Sequence, residues 1–100
     1  MPAFLIADVA VEDAAAYRAS GYVEAVPRIA ARHGGRYRAR GGSSETLEGD
    51  WQPGRLVIVE FPDMARLRAF WDDPDYAPWR AVRERLARSS IVATEGLEGG

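Results

Sequence analysis

Residues 55–61 read RLVIVEF, and the parity of that run decides the fold. Leu56, Val57, Ile58, Val59 and Phe61 are apolar on both alternating faces, so it predicts a strand covered on two sides. Residues 3–9 (AFLIADV) share the property through Ala7 and predict a second such strand. Downstream of Pro62, Asp63 is a good N-cap for a helix over 64–71, which Asp72-Asp73-Pro74 breaks because the residue before a proline avoids the α region. A second helical piece is expected over 75–88, with Trp79, Val82 and Leu86 at i, i+3 and i+7, followed by a last strand over 91–95. Upstream, Glu12 or Asp13 caps a helix whose apolar face is Tyr22, Val26, Ile29 and Ala30. Ser20-Gly21 and Pro27 interrupt it, which predicts a kink or two helical pieces. His33 closes the helix, and Gly34 stands where a left-handed cap belongs.

Residues 35–40 alternate, placing Tyr37 and Ala39 on one face and Arg36, Arg38 and Arg40 on the other. Gly41-Gly42-Ser43-Ser44 ends that strand, and a loop over 45–54 carries Trp51 and the turn pair Pro53-Gly54. The resulting order, β-α-β-β-α-β, is that of an α+β, ferredoxin-like sandwich: one domain over residues 1–96 and a flexible tail over 97–100. Two helices can cover one face of such a sheet. The strands are apolar on both parities, so the other face is expected to pack against a second copy, sheet to sheet, in a homodimer.

Composition narrows the chemistry. The 100 residues contain no Cys, no Lys and a single His, His33, while all 13 basic residues are Arg. That excludes a thiolate nucleophile, a Schiff-base or P-loop lysine, and any intrachain metal site built from several His or Cys. Neither a metal nor a cofactor is expected. A formal charge of −2 offers no field for nucleic acid or an anionic membrane, and no apolar window approaches a membrane span. The start of the chain lacks the features of a secretory leader, so a cytoplasmic location is expected. Arg without Lys, among many Ala and Gly, is the mark of high-GC coding and suits a bacterial source.

Three residues are candidates for catalysis. Glu60 is a carboxylate in an apolar strand, on the parity of Leu56 and Ile58, and needs a cation, hydrogen bonds or a proton. Arg36, Arg38 and Arg40 are its possible partners, and a structural ion pair is the plainer reading of Glu60. Arg40, before Gly41-Gly42, is placed to fork a carboxylate, or else is simply solvated. His33 could serve as a base, although a helix C-terminus already gives it a dipole to complement. Gly41-Gly42 lacks the spacing of a phosphate loop. Many aromatics for so short a chain suggest a core, an interface or a lined pocket; Tyr22, Trp51, Tyr76, Arg40 and Arg83 are the candidate ligand-binding residues. An RNA-recognition module shares the element order but stacks bases on aromatics in its third strand, which here is aliphatic.

The stretches HGGRYRARGG (33–42), LEGDW (47–51), VIVEFPDM (57–64) and 70–83 with its DDPDY resemble, in order and spacing, domain of unknown function family 1330. The resemblance implies the dimeric α/β-barrel superfamily, with ferredoxin-like protomers paired sheet to sheet. It also marks Tyr22, Arg40, Glu60, Tyr76 and Arg83 among the positions typical of the family. Superfamily relatives include cofactor-free monooxygenases, muconolactone-isomerase-like enzymes and haem-binding members. The resemblance thus implies a small organic ligand with a carboxylate or phenol/enol group, met by Arg40 and Glu60 in a pocket between sheet and helices. The competing expectation is a non-catalytic binding or interaction module.

Overall fold

The structure, a computed structural model, describes residues 1–98. Its elements are β1 (Ala3–Val11), α1 (Ala14–Ala19), α2 (Tyr22–Arg32), β2 (Arg36–Arg40), β3 (Arg55–Phe61), α3 (Met64–Trp71), α4 (Ala77–Leu86) and β4 (Ala87–Glu95). The four strands form one antiparallel sheet in the order β2-β3-β1-β4, with β1 in register against β3 from Ala3↔Phe61 to Val9↔Arg55. The helices lie on one face. The part of the expected tail at Gly99 and Gly100 lies outside the described residues; Glu98 pairs with the N-terminal amine at 2.6 Å.

Local chemistry accounts for the boundaries. The Asp13 carboxylate accepts from the Ala16 N–H at 3.0 Å, and Asp63 accepts from the Arg66 N–H at 2.8 Å, each filling one orphan donor of a first turn. The first helical stretch does split, but at Gly21 and not at Pro27. Gly21 adopts φ 87°, a conformation costly for any residue with a Cβ, and Pro27 sits inside an unbroken α2. The last strand is longer than expected and α4 correspondingly shorter. β1 extends to Val11, and pairing down to Val11↔Ala87 gives its C-terminal half a ladder that would otherwise lack a partner.

The core lies between sheet and helices. Leu5, Ala7, Val9, Val59 and Phe61 face Tyr17, Val26, Ile29, Leu67, Phe70 and Tyr76, all buried. A fully buried side chain of this size contributes about 1.5–3 kcal/mol. Phe61, Phe70 and Tyr76 form an aromatic run, with Phe70 stacked on Tyr76 at 4.6 Å between centroids. The opposite parity, Phe4, Ile6, Leu56 and Ile58, is only partly covered, and Val92 beside Ile6 is 58% exposed. No helix among the described residues is long and apolar enough to cross a membrane.

Candidate functional site

A register irregularity in β2 organises the site. Arg36 pairs with Glu60 and Tyr37 with Val59, but Ala39 pairs with Ile58 and Arg40 with Val57, so Arg38 is an extra residue between two regular pairs. A one-residue bulge reverses the parity that follows it. Arg40 therefore shares the helix-covered face with Tyr37, and Ala39 takes the open face, the reverse of the expected grouping. The Arg40 guanidinium lies 5.4 Å from the centre of the Tyr37 ring.

Beneath the helices on that face is a cavity of about 60 Å³, room for about four to six water molecules. Across its floor the register aligns Arg40, Val57, Ala7 and Ile91 on four adjacent strands, and the small Ala7 leaves the space. Tyr17, Tyr22, Tyr37 and Tyr76 contribute phenols, and Arg40, Arg55 and Arg83 contribute charge; no carboxylate among the described residues lines it. Arg83 is 5% exposed, and Nε of both Arg83 and Arg55 is buried without a hydrogen-bond partner. No carboxylate among the described residues ion-pairs with these three arginines. Gly41, at φ 72°, makes the packing possible, since a Cβ there would stand 2.6 Å from Arg55 Nε.

The tyrosines are poor acids in this setting. Burial pushes the Tyr37 phenol up to about 12, and burial also raises Tyr17 against the pull of Arg55. Tyr22 is raised further still, first by burial and then by Tyr76, whose hydroxyl lies 3.1 Å from its own. Burial opposes the charge on Arg83, but the Tyr76 and Tyr22 oxygens more than offset it, so its pKa lies above the ordinary arginine value. At neutral pH the cavity is a set of hydroxyl donors and fixed positive charges. Among the described residues it is lined by no proton acceptor of the carboxylate or imidazole kind.

The candidates from sequence separate into two groups. Tyr22, Arg40, Tyr76 and Arg83 converge on the cavity. Glu60, His33 and Trp51 do not line it. Glu60 stands opposite Phe4 on the open face, where its Oε1 accepts from Arg38 Nε at 2.9 Å; of its three possible arginine partners it is Arg38 that pairs, and Arg40 lies on the other face. Trp51, 59% exposed, donates its Nε1–H to Asp8 at 2.8 Å; the same carboxylate accepts from the Gly54 N–H and anchors the loop between β2 and β3. His33 Nε2 lies 2.7 Å from Asp73, tying the end of α2 to the turn before α4, with Arg32 reaching Asp73 and Asp75 alongside. The His33 hydrogen bond and then the Asp75 N–H hold the Asp73 carboxyl below its usual range. Arg55 is the site residue that reading by element missed. It lies on the inward parity of Val57, Val59 and Phe61, and that parity alone was the signal.

Residues 2–97 match the family described as Domain of unknown function (DUF1330). The chain belongs to that family. No curated protein matches it. Among solved structures, this DUF1330 chain is similar to RPA0582, a protein of unknown function from Rhodopseudomonas palustris. The two are 20% identical at TM-score 0.71, over 97% of this chain and 83% of the other. It is also similar to SnoaB, a cofactor-independent oxygenase from Streptomyces nogalater: 14% identity, TM-score 0.66, over 97% and 94% of the two chains. HapK from Hahella chejuensis aligns at 14% identity and TM-score 0.65, over 98% and 95%. SnoaB and HapK belong to the dimeric α/β-barrel superfamily, and the DUF1330 protomer has the same ferredoxin-like fold.

Proposed function

We propose that the protein is a cytoplasmic homodimer that binds a small organic anion, a carboxylate or an ionised phenol or enol, in the cavity between sheet and helices. One observation carries this reading: three arginines without carboxylate partners line an otherwise apolar and phenolic cavity. Arg83 is buried and Arg55 half-buried, each with an unpartnered Nε–H, while Arg40 is exposed; holding charged guanidinium groups so is costly unless an anion completes them. The partly covered aliphatic face of the sheet supports sheet-to-sheet pairing.

A second reading adds catalysis. The likeness to a cofactor-independent oxygenase supports oxygenation or isomerisation without a cofactor. The lining then limits the chemistry: arginines and un-ionised tyrosines stabilise developing negative charge but do not take up a proton at neutral pH. A substrate that reacts here arrives already ionised, and Arg40 and Arg83 lower the energy of its anion. Glu60 belongs, in this account, to the ion pair with Arg38 that orders the open face.

Thermal unfolding of the protein with short carboxylates and phenols tests the binding reading. Ligand at about 100 times its dissociation constant adds about 2.7 kcal/mol, or about 10–20 °C for a domain of this size. Arg83→Met should suppress the shift. An unchanged melting temperature across the whole panel would refute the site.

A further inference from the structure

Three buried side-chain polar atoms lack hydrogen-bond partners among the described residues: Arg55 Nε, Arg83 Nε and Ser89 Oγ. They are not scattered. Val9 pairs with Arg55 on β3 and with Ser89 on β4, so the two lie on one register row across the helix-covered face. With strands about 4.8 Å apart, their Cα atoms stand about 10 Å from each other. Arg83, in the last turn of α4, lines both the cavity and an adjoining groove, where Ser89 stands with Arg80 and Glu84. Tyr17 lies between the flanks, within the fields of both Arg55 and Arg83.

The orphan donors thus fall into two sets. On the β2–β3 flank stands Arg55, with the exposed Arg40 beside it; on the β4–α4 flank stand Arg83 and, in the adjoining groove, Ser89; the floor between Arg55 and Arg83 is Val9, Ala7 and Val57. A ligand with one acidic group completes one flank and leaves a buried arginine Nε–H without a partner on the other, which is costly. We infer that the ligand is a diacid: two anionic groups on a short apolar skeleton, one held by Arg55 with Arg40 and the other by Arg83 with Ser89. The inference rests on the anion-binding reading of the cavity and specifies the class of anion.

Titration calorimetry on the intact protein compares butanoate with butanedioate, pentanedioate and hexanedioate, with inorganic phosphate as a further arm. At least one diacid should bind tenfold or more tightly than butanoate. That preference should shrink to within about twofold in both Arg55→Met and Arg83→Met, each checked for folding by circular dichroism. Ser89→Ala, which removes a single orphan hydroxyl, should weaken the diacid and not butanoate, and it serves where Arg83→Met does not fold. Butanoate or phosphate binding as tightly as every diacid overturns the two-acid inference while leaving the anion site standing. A diacid preference that survives in both Met variants also overturns it. If no acid of any kind binds, the anion-binding reading itself falls.

Discussion

Gly41→Ala is the substitution that most directly couples the backbone to the cavity. At φ 72° an alanine is in the left-handed region, which costs roughly 1–2 kcal/mol. Its Cβ would also meet Arg55 at 2.6 Å from Nε, 3.0 Å from Cγ and 3.2 Å from Cδ. The obstruction is a flexible side chain, so Arg55 swings aside and the backbone stays; the stability loss then remains close to the backbone term. For a 100-residue domain that is a fall of about 4–16 °C in melting temperature. The displaced guanidinium leaves the cavity, and butanedioate binding should weaken tenfold or more. A double-mutant cycle with Arg55→Ala separates the two effects. In the Arg55→Ala background, Gly41→Ala should retain its backbone cost and have no further effect on binding. Thermal unfolding and calorimetry on the four proteins read both quantities. If Gly41→Ala binds butanedioate as wild type does, Arg55 is not held in place by the missing Cβ and the reasoning fails.

Removing the hydroxyl pair should be visible as coupling: Tyr22→Phe and Tyr76→Phe each cost about 0.5–1.5 kcal/mol in denaturant unfolding, and together less than their sum; strict additivity would mean the 3.1 Å contact contributes nothing. Because the Asp73 carboxyl is held below its usual range, its contribution to stability is present above the unfolded value of about 3.9 and lost as pH falls through the lower folded value. The excess stability of wild type over Asp73→Asn should therefore be larger at about pH 5 than at about pH 2; an equal gap at both would show that His33 and Asp75 do not favour the charged carboxylate. Ile58→Lys, at the centre of the aliphatic sheet face, should convert the proposed dimer to an 11.0 kDa monomer in sedimentation at micromolar concentration, and a persistent dimer would move the interface elsewhere.

How far residues alone reveal this molecule depends on whether the deciding interaction is local in sequence. Both capping aspartates, the aliphatic parity of β3 and the element order are local and legible. The face on which Arg40 lies was not. Arg36, Arg38 and Arg40 alternate so regularly that nothing within β2 announces a bulge; only pairing with Ile58 and Val57 on β3 shows it. Unbroken alternation therefore puts Glu60 and Arg40 in one site, and the bulge separates them by the thickness of the sheet. The first half of β4 was hidden in a similar way, because Ala87-Arg88-Ser89-Ser90 has little strand character of its own and becomes a strand through β1. Trp51 is a candidate ligand-binding residue by sequence, and its place is set by Asp8, 43 residues earlier. Arg55 was legible in principle, as a charge on an inward-facing parity.

The bulge at Arg38 also has a bearing on misassembly. A strand at the margin of a sheet exposes backbone groups that can recruit another chain, and irregular, charged margins resist this. β2 is such a margin, five residues long, with an interrupted ladder and three arginines. The other margin, β4, runs regularly for nine residues with no bulge in its pairing to β1. Fibrillar growth of a destabilised chain should therefore begin at β4, where a proline at a ladder position would block it; on β2 the insertion that turns Arg40 into the cavity already guards the edge.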